Sequence, residues 1–384
     1  MSAPAPDAPT LTTLTSLLAT AQGTIDGVPV ADLVAAGRAL GQQTAPRVGQ
    51  GRTAILLPSS PAFLVALTAS DGAAAVLLNP MAVAPEIAHQ LEDADVSLVF
   101  TTSALAGLLP TGLDQVLLDD APAQATLVID GQRRVLSLAA APGRVDGPAS
   151  RDTAAPSSAS SAGAIVIYTS AMQGRAVGAI LTHANLVGNA LTGLPLSDLR
   201  RGDHMLSLVP FSHAYGFTVG CLAPLAAGAR VSAVGTFDPE KIFRLINDDG
   251  ITHIVGTPAV FDALLSQLVR RKLTLARGTL RVSVCGGAPL RTDLQARWMD
   301  ATGLELRQGY GLTEAGPVCL FNPVDQPNRR GVLGVPYPGA EVSIRAAGSG
   351  DAVPVGASGE ICVRGPYVFA GYVSGAGLTQ RDGW

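Results

Sequence analysis

The segment Arg307-Gln-Gly-Tyr-Gly-Leu-Thr-Glu314 places three chemically different groups within five positions. A flat aromatic such as Tyr310 covers a heterocyclic base, a hydroxyl such as that of Thr313 donates to phosphate, and the Glu314 carboxylate suits a hard divalent ion. A second segment, Tyr168-Thr-Ser-Ala-Met-Gln-Gly-Arg-Ala-Val-Gly-Ala-Ile-Leu-Thr-His183, follows an apolar run. Its Gly174 and Gly178 would let the backbone curl so that N–H groups face phosphate oxygens, with Thr169, Ser170 and Thr182 as further donors. Two more loops begin where apolar runs end. Leu208-Val-Pro-Phe-Ser-His-Ala-Tyr-Gly216 presents His213 and Tyr215, and Val284-Cys-Gly-Gly-Ala-Pro-Leu290 puts Gly286, Gly287, Ala288 and Pro289 where a flat ligand can lie against backbone. A lone histidine is more often structural than reactive, and from the residues alone His213 reads as structural.

These loops need a scaffold of strands and helices in alternation. Apolar runs predict strands over 52–58, 74–78 and 96–100, with helices over 28–40, 61–69 and 85–93. After a stretch rich in Ala, Pro, Gly and Ser, strands are expected over 205–209, 230–233, 253–255 and 281–285, with helices over 239–248, 258–271 and 291–302. Alternation of this kind implies doubly wound, predominantly parallel sheets. From Gly331 onward, short strands (341–346 and 359–364) separated by Gly and Pro turns suggest a small β-barrel-like unit. The expected division is a first α/β unit over 1–138, a linker or surface loop over 139–163, a second α/β unit over 164–330 and a β-rich unit over 331–384.

Bulk properties fit a large, well-buried α/β protein: 384 residues, 47% hydrophobic, 15% charged and a net charge of −4. No basic patch suggests nucleic acid. The window 218–237 is too interrupted by Pro, Arg and Gly for a membrane span. Lys241 and Lys272 are the only lysines among 26 basic residues, so few remain for a lysine-dependent step. Four scattered cysteines without a Cys-x-x-Cys pair argue against zinc or a disulfide framework, and with no signal-peptide pattern they fit a cytoplasmic protein.

Taken in order, the motifs resemble those of the adenylate-forming enzymes, the superfamily of acyl-CoA synthetases, luciferases and peptide-synthetase adenylation domains. Tyr310-Gly-Leu-Thr-Glu314 matches its near-diagnostic Tyr-Gly-x-Thr-Glu, and Pro210-x-x-His213-x-x-Gly216 matches its pocket histidine. Framing matches follow at 331–336, 359–366, 371–372 and 382–384. The phosphate loop, ordinarily Tyr-Thr-Ser-Gly-Thr-Thr-Gly-x-Pro-Lys-Gly, is altered: Ala171 replaces a glycine, Met172 and Gln173 replace two hydroxyl residues, and Val177 stands at the lysine. The resemblance implies the large N-terminal part of an AMP-forming acyl or aryl acid ligase using ATP and Mg2+, with CoA or a carrier protein's phosphopantetheine as thiol acceptor. It implies Thr313, Glu314 and His213 as catalytic groups, Glu314 on magnesium and Thr169, Ser170, Gly174, Gly178 and Thr182 around phosphate. Gly286, Gly287, Ala288, Pro289, Gln308, Gly309, Tyr310 and Gly311 would hold the nucleotide, and His213, Tyr215, Gly256, Gly287 and Gly309 the carboxylic acid. It further implies a C-terminal domain, carrying a catalytic lysine, beyond Trp384. Two other readings stay open: a degenerate homologue that binds an acyl group, nucleotide or partner without making an adenylate, and a member with an altered second substrate.

Overall fold

A computed structural model describes residues 13–48, 51–70, 75–138, 165–169, 176–271, 275, 278–375 and 384. Two nine-stranded sheets dominate it. The first runs, edge to edge, Gly371–Tyr372, Gly178–Leu181, Ile165–Tyr168, Val76–Leu77, Arg52–Ile55, Val96–Thr101, Asp114–Leu117, Gln124–Ile129 and Gln132–Ser137. The second runs Val335–Pro336, Val318–Phe321, Leu306–Gly311, Val282–Cys285, His253–Gly256, His204–Ser207, Arg230–Ala233, Thr24–Ile25 and Val28–Pro29. Both have parallel centres and antiparallel edges. The central strands of the second sheet are buried along their whole length, as strands of a parallel sheet covered on both faces are, and the polar residues they carry, His204, Ser207, His253 and Ser283, are buried with them.

Helices cover the sheets in layers. Val30–Val48, Pro61–Ala69 and His183–Leu196 contribute Leu33, Leu40, Phe63, Leu64, Leu186 and Ala190 to a core between the two sheets. Edge-on contact of Phe63 with Phe211, 5.6 Å between ring centroids, joins the two chain halves there. Pro239–Asp248, Pro258–Arg271 and Thr292–Thr302 cover the outer face of the second sheet, where Phe261 meets Trp298 edge-on at 4.8 Å. Pro239–Asp248 begins where Asp238 accepts from the N–H groups of Glu240 and Lys241, and it buries Ile242, Phe243 and Ile246 at helical spacing.

Strands cross the divisions expected from the sequence. Ile165–Tyr168 and Gly178–Leu181, beyond the Ala/Pro/Ser-rich stretch, complete the first sheet, whereas Thr24–Ile25 pairs with Arg230 and Val231 in the second. The reason is register: Val166 and Ile167 find partners in Val76 and Leu77, and their side chains enter cores already built by the first segment. In the β-rich segment, Glu341–Arg345 and Glu360–Arg364 form an antiparallel pair, while Val335–Pro336 and Gly371–Tyr372 serve as edge strands of the large sheets. No barrel closes among the described residues. The helix expected over 28–40 occupies Val30–Val48, and the strand expected over 74–78 occupies Val76–Leu77.

Candidate active site

Three parallel strands of the second sheet end side by side in glycine. Gly256 pairs with Cys285, Cys285 with Gln308, and the Gly286 N–H donates to the Gly256 carbonyl at 3.2 Å. Beyond these ends lies a cleft of about 860 Å³, its open mouth included. Crevices of this kind, at the C-terminal ends of parallel strands, are where open α/β sheets hold ligands. Close approach dictates the glycines. A Cβ on Gly286 would lie 3.3 Å from the Gly309 carbonyl and 3.4 Å from the Tyr215 ring, and one on Gly311 would lie 1.6 Å from the Pro317 carbonyl.

Tyr310, Gly311 and Thr313 line the cleft together with Gly286, Gly287 and Gly309. Burial raises the Tyr310 phenol above its ordinary range, so its ring is a neutral platform. Glu314 follows in the short turn Thr313–Ala315. One of its oxygens accepts from the Tyr372 hydroxyl at 2.9 Å, and its carbonyl accepts from the Phe369 N–H. Burial and this carboxylate together push Tyr372 up to about 12. The second Glu314 oxygen has no protein donor among the described residues. A single carboxylate with a spare oxygen fits Mg2+, which keeps several waters and takes its remaining ligands from substrate phosphates. Among the described residues no cluster of three or more His, Cys, Asp or Glu forms a protein-only metal cage.

On the opposite wall, His213 caps the short helix Ala214–Phe217: its Nδ1 accepts from the Tyr215 N–H at 3.2 Å, which leaves the ring proton on Nε2. Protein atoms crowd the imidazole and hold its pKa below the ordinary value, although its surface faces the cleft. The arrangement suits a neutral hydrogen-bond donor better than an acid–base group. Tyr215 is buried, and its hydroxyl donates to the Val284 carbonyl at 3.2 Å. It therefore offers the cleft a ring, not a free hydroxyl.

Other residues singled out from the sequence are placed differently. Ser170, Ala171, Met172, Gln173, Gly174 and Arg175 lie outside the described residues. The Thr169 N–H donates to the Val177 carbonyl at 3.0 Å, next to the strand pair Ile165–Tyr168 and Gly178–Leu181. Gly178 is a buried strand residue whose Cβ would meet Val166, Val373 and Tyr168 at 3.0–3.1 Å, so its smallness serves packing. Thr182 caps the helix His183–Leu196, its hydroxyl accepting from the Asn185 N–H. Gly256 is buried beneath the cleft, Gln308 is buried with its carbonyl bound by Asn322, and Ala288 and Pro289 are exposed on the rim.

The sequence reading missed the wall formed by His183–Leu196, from which Asn189, Ala190 and Gly193 line the cleft. Asn189 donates to the Val318 carbonyl at 2.9 Å and accepts from the Val318 N–H, tying this helix to the strand that backs Tyr310. Thr182 and Asn185, which cap each other's backbone, were the available signal.

Strand-end glycines, a neutral aromatic shelf and a half-free carboxylate around one cleft define an open α/β ligand-binding domain of the nucleotide-handling kind. The family model for the AMP-binding enzymes matches residues 38–373, and the chain belongs to that family. It is 33% identical over 351 residues to a feruloyl-CoA synthase of Amycolatopsis sp, covering 87% of this chain and 64% of the relative. It is 31% identical over 353 residues to 4-coumarate–CoA ligase-like 4 of Oryza sativa subsp. japonica, covering 87% and 62%. The chain thus spans a little under two thirds of the length of these relatives. Among solved structures, apo MatB from Rhodopseudomonas palustris superposes with a TM-score of 0.73 at 25% identity, over 94% of this chain and 71% of that one. The N-terminal domain of FACL13 from Mycobacterium tuberculosis shares the fold, with a TM-score of 0.75 at 20% identity over 94% and 91%. No helix among the described residues is long and apolar enough to cross a membrane.

Proposed function

We propose that the chain is the acid-activating part of an AMP-forming acid–thiol ligase. The observation that carries this is the convergence of Tyr310, Thr313, Gly286 and Gly309 on one cleft that continues into an apolar interior. A carboxylate oxygen of the acid attacks the α-phosphorus of ATP; the bond to the β-phosphate oxygen breaks, giving an acyl-adenylate and pyrophosphate. A thiolate then attacks the acyl carbon and AMP leaves. The names of the relatives favour CoA over a carrier-protein phosphopantetheine as the thiol. Tyr310 and the 286–289 segment hold adenine, Thr313 donates to the α-phosphate, and the neutral His213 orients the acid carboxylate. Magnesium held through Glu314 would supply charge neutralisation at the phosphates.

A second reading, a binder that makes no adenylate, is favoured by one observation: Ala171, Met172, Gln173 and Val177 stand where two hydroxyls, a glycine and a lysine would grip phosphate. Isotope exchange between pyrophosphate and ATP, with a panel of monocarboxylic acids, separates the two. Acid-dependent exchange is expected. Nucleotide binding by calorimetry without exchange for any acid would establish a nucleotide binder, and absence of both would defeat the ligase and the nucleotide-binding reading alike.

A further inference from the structure

The cleft does not stop at the strand ends. It runs between the second sheet and the helix His183–Leu196 down to residues at the opposite, N-terminal edge of the same strands: Met205, His253, Ser197 and Leu199. Met205 and His253 are register partners at the start of their strands, whereas Gly256 marks the other end. Three residues of strand at about 3.3 Å each give a depth of roughly 10 Å. Eight residues of helix from Asn189 to Ser197, at about 1.5 Å each, give roughly 12 Å. The two walls therefore agree on a short channel.

The polar groups at its floor are already hydrogen-bonded within the protein. His253 is buried; its Nε2 donates to the Ser197 carbonyl at 3.0 Å, and its Nδ1 accepts from the Thr252 hydroxyl at 2.8 Å. The Ser197 hydroxyl donates to the Gly193 carbonyl at 2.8 Å. Behind His253 lies Asp203, 3.9 Å from Nδ1, bound by Arg281 and the Arg200 N–H. Arg281 also binds Asp198. No donor is left over at the floor for a ligand, and the nearest charge behind it is a carboxylate whose cation is already engaged. The walls above are apolar, with Val219, Ala223 and Val255.

We propose that His253 ends the acid channel and restricts the substrate to monocarboxylic acids with a short apolar tail, either an aryl group or a medium-length acyl chain. This rests on the cleft being the acid site. A longer tail meets a histidine held on both nitrogens. A second carboxylate at the far end would be buried without a donor and beside Asp203.

The test is calorimetric titration of the chain, with AMP present, using straight-chain monocarboxylates from butanoate to hexadecanoate and the matching α,ω-dicarboxylates. Affinity should rise about fourfold per methylene until the tail reaches the floor, and then fall. Dicarboxylates should bind about tenfold or more weakly than monocarboxylates of equal length. His253→Ala should move the break to longer tails. Leu199→Ala opens the same end without disturbing the hydrogen-bonded cluster and should move the break the same way, so a poorly folded histidine variant does not end the test. A break that stays put in Leu199→Ala, or dicarboxylates that bind as well as monocarboxylates, would overturn the channel-floor assignment alone. Failure of every acid to bind would overturn the acid site and this assignment with it.

Discussion

Gly311 sits one carbon away from a collision that would displace the whole Tyr310–Glu314 segment. Its missing Cβ would lie 1.6 Å from a backbone oxygen, so Gly311→Ala must push strand from strand. Gly287 differs in kind. Its φ of +79° strains any side chain, but the nearest atom to an added Cβ is Thr257 Cγ2 at 3.8 Å. Gly287→Ala should cost about 1–2 kcal/mol from backbone strain alone, whereas Gly311→Ala should cost about 3 kcal/mol and also weaken nucleotide binding. Urea denaturation of the two variants orders them, and the opposite order would refute the close-approach account. Glu314 allows a cleaner separation of structure from chemistry. Glu314→Gln retains an oxygen for the Tyr372 hydroxyl and loses only the charge. Stability should change by about 1 kcal/mol or less, while the magnesium-dependent gain in ATP affinity disappears. Equal ATP affinity with and without magnesium in the wild type would remove the metal role from Glu314.

At the scale of elements, legibility followed capping and periodicity. Pro239–Asp248 was readable because an aspartate cap, a proline at its start and three apolar residues at helical spacing agree. His183–Leu196 was not, because Gly188, Gly193 and Pro195 depress helix propensity. Packing explains those glycines: Tyr367 lies 3.4 Å from where a Cβ of Gly188 would be, and the Tyr337 hydroxyl 2.3 Å from that of Gly193. The two-residue strands Thr24–Ile25 and Val28–Pro29 carry no period at all. The site motifs at strand ends were legible as chemistry, but the deep channel was not, because it is built from strand starts. His204 and His253 occupy those starts, both buried. Burial holds both imidazoles below the ordinary value of 6.5; hydrogen bonds to the Asp249 and Ser197 carbonyls and the charges of Asp249 and Asp203 oppose this, and Arg230 and Arg281 assist it. Below pH 6.5 the unfolded chain therefore takes up protons that these folded histidines refuse. Stability should be flat above that pH and fall as pH drops toward the folded values, by up to about 1.4 kcal/mol per pH unit for each histidine. Denaturation midpoints from pH 7.5 to 5 measure the slope, and His253→Gln should reduce it by the share of one histidine. A slope unchanged in that variant would show that His253 does not titrate between the folded and unfolded states.

For the whole molecule, the sequence suggested consecutive units, and the sheets are interleaved instead. Composition marks 139–163 as a break in the chain, but a break in sequence is not a break in structure when strands on one side complete a sheet built on the other. Ile165–Tyr168 supplies Ile165 and Ile167 to the core shared with Leu33, Phe63 and Phe100, and Val166 to the cluster around Ile87 and Leu91. In return, Thr24–Ile25 borders Arg230–Ala233, and the Asp26 carboxylate accepts from the Ala233 N–H at 2.9 Å. Residues 1–163 alone would expose the edge of Val76–Leu77 and the apolar faces that Ile165–Tyr168 and Gly178–Leu181 cover. Residues 164–384 alone would leave Ile165–Tyr168 with no parallel partner and Arg230–Ala233 with an open edge. Neither half should give a cooperative thermal transition when expressed by itself, and both should aggregate. Co-expressed as two chains, they should elute together on gel filtration at the mass of the intact protein and melt in one transition. Sharp, independent melting of either half would show that the shared sheets are not what holds the molecule together.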